Sequence, residues 1–344
     1  MPQPATGLPI WPISIVTGFL GSGKTTLISR VLADPMFART AVIVNEFGEI
    51  GLDHELVVAS TESFLQLASG CLCCRVRGDL AGTLLDLASQ RSAGTVPPFD
   101  RVLIETSGLA DPAPILHALM MDAGLARQFA VDSVLTLVDA VNGAAALERH
   151  PEAWRQVALA DRLLLTKLDL AGNAGALRAT LAGLNPSAPV LEAVSGAISP
   201  ELLFPAGDPD RRMDRLQSLP GLAGASPFAA RHTAGIDTFT LLRERPVPAL
   251  ALTLLLAALT EHCGARLLRV KGLVEVAEMP ETPAVIHGVG HVFAPPVWLD
   301  RWPSADRTTR LVFITEGVPR YFPSRLLAAI EAEVIEETGR TPWN

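Results

Sequence analysis

Residues 18–25 read Gly-Phe-Leu-Gly-Ser-Gly-Lys-Thr, an unbroken G-x-x-x-x-G-K-T run, and its flanks leave little freedom in how the chain folds around it. The apolar run Ile13–Thr17 precedes it as a strand. Thr26–Ala33 follows as a helix that has to stop before Pro35. A strand, a glycine turn and a helix start aim loop N–H groups and the helix N-terminus at one point, where they can take the oxygens of a triphosphate. Gly18, Gly21, Ser22, Gly23, Lys24, Thr25 and Thr26 are the expected nucleotide contacts. Lys24 would reach the β- and γ-phosphates, and the Thr25 hydroxyl would take Mg²⁺.

Short β-branched runs alternate with helical stretches through the first two hundred residues. The strands are expected at Ile13–Thr17, Thr40–Val44, Arg101–Glu105, Val134–Val138, Leu163–Thr166 and Val190–Val194, with helices at Asp79–Ser89, Pro112–Met121 and Glu152–Ala160. Nearly continuous apolar strands point to a parallel sheet covered on both faces. The expected fold is α/β, a doubly wound, mostly parallel sheet binding its ligand at the carboxyl ends of the strands, followed by a smaller α+β domain. Residues 1–205 would form the phosphate-loop domain. Periodicity is lost in 206–230, read as a linker, and 231–344 would hold the second domain. There the expectation is a strand at Ile236–Leu242, a helix at Val247–Cys263, strands at Leu267–Val276, Ala284–Phe293 and Arg310–Ile314, and a closing helix at Pro323–Glu337.

Composition narrows the partners. A net charge of −8 without a basic block argues against nucleic acid. The longest apolar run, Ala249–Leu259, is too short for a bilayer span and reads as a buried helix. With no secretory leader pattern, the expected location is the cytoplasm and no membrane partner is expected. The oligomeric state is not readable from the sequence.

Three segments extend the nucleotide site. Arg101–Gly108 is an apolar strand ending in Glu105, placed to hold Mg²⁺ directly or through water, with Gly108 three residues on as a sensor of the γ-phosphate. Thr166-Lys167-Leu168-Asp169 is similar to the N-K-x-D guanine-reading segment, with Thr in place of Asn. The Asp169 carboxylate can accept from the guanine N1–H and 2-amino group together, donors that adenine lacks. Asn45–Asp53 is an acidic, glycine-bearing loop where a switch would lie, and Glu46 or Glu49 could orient the attacking water. Next comes Cys71-Leu72-Cys73-Cys74, three of the four cysteines within four residues. Thiolates are soft ligands suited to Zn²⁺, Co²⁺ or Cu(I), and three of them leave one tetrahedral position for Glu46, Glu49, water or an acceptor's ligand. In extended chain Cys71 and Cys73 share a face, whereas in a helical turn Cys71 and Cys74 pair. The fourth cysteine, Cys263, reads as core. His287 and His291, at even spacing in an expected strand, would share one face as an auxiliary metal or client site or simply as a packed face.

Taken together, Gly18–Thr26, Asn45–Gly48, Cys71–Cys74, Glu105–Pro112 and Thr166–Asp169 resemble the CobW-type P-loop GTPases, metallochaperones related to the hydrogenase and urease nickel-insertion GTPases. Leu268–Gly272 and the Arg310-Leu-Val-Phe-Ile run resemble the family's small domain. The resemblance implies GTP hydrolysis with Mg²⁺, coupled to delivery of Zn²⁺ or Co²⁺ to a client metalloenzyme. Many relatives carry a His-rich loop. This chain has seven scattered histidines, which argues against storage of many ions. The rival readings are a P-loop kinase or ATPase with structural cysteines, and a non-enzymatic metal sensor or adaptor gated by nucleotide.

Overall fold

Strands that are apolar on both faces need cover on both faces. The computed structural model, which describes residues 10–45, 65–66, 72–76, 79–193, 198–204 and 235–338, provides it with a sheet interleaved with helices. In chain order these are β1 (Trp11–Gly18), α1 (Lys24–Ala33), β2 (Thr40–Asn45), β3 (Leu65–Gln66), β4 (Leu72–Val76), α2 (Leu80–Ala93), β5 (Arg101–Thr106), α3 (Ala113–Met121) and α4 (Ala123–Ala126). They continue with β6 (Phe129–Asp139), α5 (Gly143–Arg149), α6 (Pro151–Leu159), β7 (Arg162–Thr166), α7 (Gly175–Leu184), β8 (Val190–Glu192) and α8 (Pro200–Leu203). The chain divides into two compact units. One comprises Met1–Gln156, Ala160–Ala174 and Val190–Gly207; the other comprises Val157–Leu159, Gly175–Pro189 and Asp208–Asn344. The stretch 206–230 expected to be a linker lies outside the described residues.

In the first unit the strand order is β3-β4-β2-β5-β1-β6-β7-β8, parallel throughout except that β3 runs antiparallel to β4. The doubly wound reading holds. The order reverses at β1, flanked by β5 on one side and β6 on the other, and such a reversal opens a crevice at the carboxyl ends of the strands. Registers bring those ends level: Val16 lies opposite Glu105, Gly18 opposite Leu137, and Asp139 opposite Thr166. On one face α1 packs Leu27, Ile28, Val31 and Leu32 onto Val16, Val42, Leu103 and Leu135. Strand β6 begins five residues before the expected Val134, because Asp132 and Ser133 interrupt the apolar run while its backbone pairing continues.

The second unit holds β9 (Ile236–Arg243), α9 (Ala249–Cys263), β10 (Leu267–Val274), β11 (Ala284–Val289), β12 (Val292–Phe293), β13 (Val297–Trp298), β14 (Thr309–Glu316) and α10 (Phe322–Thr338). Its antiparallel sheet runs β12-β11-β10-β14-β9, with β13 added to β11. Leu252, Leu255 and Leu259 of α9 and Leu327 and Val334 of α10 fill the core against Val270, Leu311 and Phe313. The apolar run starting at Ala249 is buried on one side only: Leu250 and Leu254 are 49% and 43% exposed. A helix with apolar residues all round hides from the sequence which face turns inward. Cys263 is buried, as expected, and its burial pushes the thiol pKa up. The last carbonyls of α6 are taken by side chains of this unit. Asn185 Nδ2 donates to Val157 O (2.9 Å) and Ala158 O (3.2 Å), and the buried Arg269 guanidinium donates to Leu159 O. Polar or cationic donors at a helix C-terminus satisfy carbonyls that the helix itself cannot.

The expected strand Ala284–Phe293 is a hairpin: β11 ends at Val289, Gly290 takes φ 56°, and β12 starts at Val292. His287 lies on the strand and the exposed His291 in the two-residue turn, so the period of two that would have put them on one face stops between them.

The pairing of β10 with β14 depends on Gly272, where an added Cβ would stand 1.8 Å from Arg310 O. That contact is with backbone, so the strands themselves would have to separate. Gly272→Ala is expected to cost about 3 kcal/mol, the upper range for overpacking. A denaturation midpoint equal to wild type would contradict this.

Candidate functional site

The site is assembled at the carboxyl ends of β1, β5, β6 and β7. After β1 the chain turns through Gly18, Gly21 and Gly23 at φ 143°, 73° and 94°, and Ser22 N donates to Phe19 O (3.1 Å) to close the loop. Such φ values cost a residue with a Cβ about 1–2 kcal/mol. At Gly18 a Cβ would also stand 2.4 Å from Leu137 O. Helix α1 starts from Gly23 with no side-chain cap and no acidic residue in its first turn. Its leading N–H groups therefore lack a side-chain acceptor, which is what an anion site requires.

Lys24 folds back over this loop. Its Nζ donates to Gly18 O (2.7 Å) and Phe19 O (3.3 Å), and the residue is 9% exposed. Burial lowers the amine pKa below its usual value, against the opposing pull of the Glu105 carboxylate. Thr25 Oγ1 donates to Glu105 Oε1 at 2.8 Å, bringing together the two expected Mg²⁺ ligands from residues eighty apart. A hydroxyl and a carboxylate are hard oxygen donors, a pair that suits Mg²⁺. Below them Thr106 Oγ1 donates to Thr17 Oγ1 (2.7 Å), tying β5 to β1. Ser22 Oγ is buried and has no hydrogen-bond partner among the described residues. A buried hydroxyl left unpaired calls for an explanation, and a polar ligand atom in the loop supplies one. Thr26 is exposed in the first turn of α1. Gly108, after β5, lies against the loop: a Cβ there would stand 2.8 Å from Leu20 N.

On the other side of β1, Thr166 Oγ1 donates to Ser22 O (2.9 Å), fastening the turn after β7 to the phosphate loop. The threonine that departs from N-K-x-D thus makes a direct tie to the glycine loop. Lys167 has φ 57°, unusual for a residue with a side chain, and its Nζ is held by Asp139 Oδ2 at 2.8 Å. Asp139 was not anticipated. Its carboxylate also accepts from Val141 N (2.8 Å), Asn142 N (3.3 Å) and Asn142 Nδ2 (3.0 Å). Burial pushes this carboxyl up, but the donors from Lys167, Asn142 and the two backbone amides outweigh it and hold the pKa below the usual range. Asp169, by contrast, is exposed and makes no hydrogen bond or ion pair among the described residues. Its acceptors remain available to a base.

The backbone of β4 carries Cys73 and Cys74 in extended conformation, opposite Val42 and Ile43 of β2. Glu46, Glu49 and Cys71 lie outside the described residues. Among the described residues there is no group of three or more His, Cys, Asp or Glu able to hold a metal, and no helix long and apolar enough to cross a membrane.

Comparison with known proteins matches residues 12–192 to the family described as CobW/HypB/UreG, nucleotide-binding domain, and residues 236–332 to the cobalamin synthesis protein cobW C-terminal domain. The zinc chaperone YjiA of Escherichia coli is 32% identical over 307 residues, covering 89% of this chain and 94% of that protein. The zinc chaperone CobW of Pseudomonas aeruginosa is 41% identical over 151 residues, 41% of this chain and 39% of that protein. The crystal structure of Zn(II)-bound YjiA GTPase from E. coli superposes with a TM-score of 0.72 at 29% identity, covering 94% of this chain and 99% of that one. A Zn(II)-bound triple variant of that GTPase, with one glutamate and two cysteines changed to alanine, superposes with the same TM-score. By these matches and by its two-domain architecture, this chain belongs to the CobW/HypB/UreG family, with a CobW-type C-terminal domain.

Proposed function

We propose that this chain is a GTPase that carries Zn²⁺ on Cys71, Cys73 and Cys74 and hands it to a client metalloprotein as GTP is hydrolysed, in the cytoplasm. The loop N–H groups, the start of α1 and Lys24 hold the β- and γ-phosphates. Asp169 reads guanine from a turn fixed by Thr166 and Lys167. Thr25 and Glu105 would hold Mg²⁺, which when bound neutralises charge on the β- and γ-phosphate oxygens. Water attacks the γ-phosphorus and the bond to the β-phosphate oxygen breaks, giving GDP and phosphate. Glu46 or Glu49 orients that water. The zinc is cargo, and Co²⁺ suits the same thiolates.

One observation carries the coupling. Strands β4, β2 and β5 are consecutive in the sheet, so Cys74, Ile43 and Ile104 lie in one row, and Glu105 is the next residue of β5. Two strand spacings put the cysteine-bearing backbone about 10 Å from the acid that faces Thr25. An ordering of the site by triphosphate can therefore be felt at the cysteines through one intervening strand.

The test is a competition titration of Zn²⁺ against a chelating dye with Mg-GTPγS or Mg-GDP bound. The affinities for the two states are expected to differ by at least about tenfold, and Cys73→Ser or Cys74→Ser to bring the ratio near one. Some zinc binding should persist in those variants, since the relative with two cysteines and a glutamate replaced is itself Zn(II)-bound. Equal affinities in wild type would end the proposal, because a ligand that binds two states equally shifts neither.

A further inference from the structure

Gln156 lies in α6, 1% exposed, in a segment that reads as an ordinary amphipathic helix. Its side chain does not serve the helix. Nε2 donates to Gly108 O (3.1 Å) and to Ala110 O (2.9 Å), so both amide hydrogens go to the loop after β5. Two carbonyl acceptors admit only an NH₂, which settles the orientation of the amide. Its Oε1 is buried and has no hydrogen-bond partner among the described residues. A buried amide with an empty acceptor costs about 1–3 kcal/mol, so a side chain chosen for stability alone would not be left this way. Thr136 Oγ1 of β6 donates to the backbone carbonyl of Gln156 at 2.8 Å, a bond that does not involve its side chain.

We infer that Gln156 is a positioning residue for GTP hydrolysis, holding the Gly108 loop in the conformation that meets the γ-phosphate; this rests on the reading of Gly108 as part of the nucleotide site. The Gly108 carbonyl is fixed by Gln156, and the preceding peptide is fixed by Ala110 N donating to Ser107 O (3.1 Å). A trans peptide is rigid, so pinning the plane on each side of Gly108 sets the direction of its N–H. The loop has no slack, since Gly108 already meets the Leu20 backbone. Among the described residues Gln156 makes no hydrogen bond to the phosphate loop or to any group expected at the α- and β-phosphates. It therefore acts on the state that has a γ-phosphate and leaves the diphosphate state alone.

The experiment uses the full chain with Gln156→Glu, which keeps the shape and loses the donors, and Gln156→Met, with Thr136→Val as a structural control. Both Gln156 variants are expected to slow single-turnover GTP hydrolysis about 10–100-fold, the scale of a small misplacement of a catalytic group. They should weaken GTPγS binding at least fivefold while GDP affinity stays within twofold. Thr136→Val removes a buried bond to the same residue without touching the loop, and should leave the GTPγS-to-GDP ratio unchanged. Parallel losses of both nucleotides, unchanged hydrolysis, or an equal shift in Thr136→Val would overturn the inference. Should neither Gln156 variant fold, the wild-type side chain gives a second reading. With ¹⁵N-labelled glutamine, the Gln156 amide protons should be protected from solvent exchange in the GTPγS complex, and exchange as fast as an exposed glutamine would overturn the inference. If wild type neither binds nor hydrolyses GTP, the nucleotide-site reading itself falls; if wild type hydrolyses GTP and the variants match it, only the role of Gln156 does.

Discussion

Replacing Lys24 by methionine is expected to lower the rate of GTP hydrolysis by about 10²–10³-fold, the cost of removing one preorganised charge from a developing transition state, while the nucleotide-free protein keeps its fold. The two halves of this expectation come from the same geometry. The amine is buried, and among the described residues its N–H groups donate to two loop carbonyls, Gly18 O and Phe19 O, rather than to a carboxylate. Burial lowers its pKa, so folding disfavours the charged form: the penalty is present at neutral pH and disappears as pH rises from the folded pKa through the normal lysine range. Methionine has a similar reach and no charge. The lost hydrogen bonds and the removed desolvation cost offset one another, and the apo melting temperature should move by no more than about 3 °C. Single-turnover hydrolysis and apo thermal unfolding, measured on one preparation, check both halves. A variant that hydrolyses GTP at the wild-type rate removes Lys24 from the site; one that does not fold shows its charge to be structural.

Changing Asp169 to asparagine is expected to exchange the preferred base. Two hydrogen bonds to a charged acceptor are worth about 1.5–3 kcal/mol each, so GTP affinity should fall by roughly 10²–10⁴-fold. Asparagine offers one acceptor and one donor, which match the N1–H and the C2 carbonyl of xanthine, and XTP should bind the variant more tightly than GTP does. The scaffold should be unaffected, because the turn is held by Thr166 on Ser22 O and Lys167 on Asp139 while Asp169 itself is exposed. Competition of GTP, XTP and ATP against a fluorescent nucleotide distinguishes the outcomes. If GTP is retained and XTP not gained, the base is read elsewhere. If ATP competes as well as GTP in wild type, the kinase or ATPase reading returns.

The phosphate loop was legible in the sequence because its requirements are local: three glycines at positive φ, a lysine long enough to fold back, and a helix start without a side-chain cap. Glu105 was legible because an acid at the end of an apolar strand is conspicuous, and the structure adds its contact with Thr25. Asp139 and Gln156 were not, for one shared reason. Each looks ordinary along its own element, and its role exists only through a partner brought in by the fold, Lys167 for one and the Gly108 loop for the other. Strand β4 escaped because Leu-Cys-Cys-Arg-Val has neither alternation nor an apolar run, and its extended backbone comes from pairing with β2. The even spacing of His287 and His291 misled because a glycine turn between them ends the strand.

Strand β4 is joined to the sheet along five residues of β2, and on its outer side, among the described residues, it pairs with Leu65 and Gln66. Parallel strands near a sheet border detach more cheaply than central ones, since peeling them breaks a single ladder and leaves the interior intact. A cargo ion held on such a fringe would leave at a rate set by fraying of that border rather than by melting of the protein. Ion escape and global unfolding should then respond differently to temperature and denaturant, and the carrier could let go of its load many times without once losing its fold.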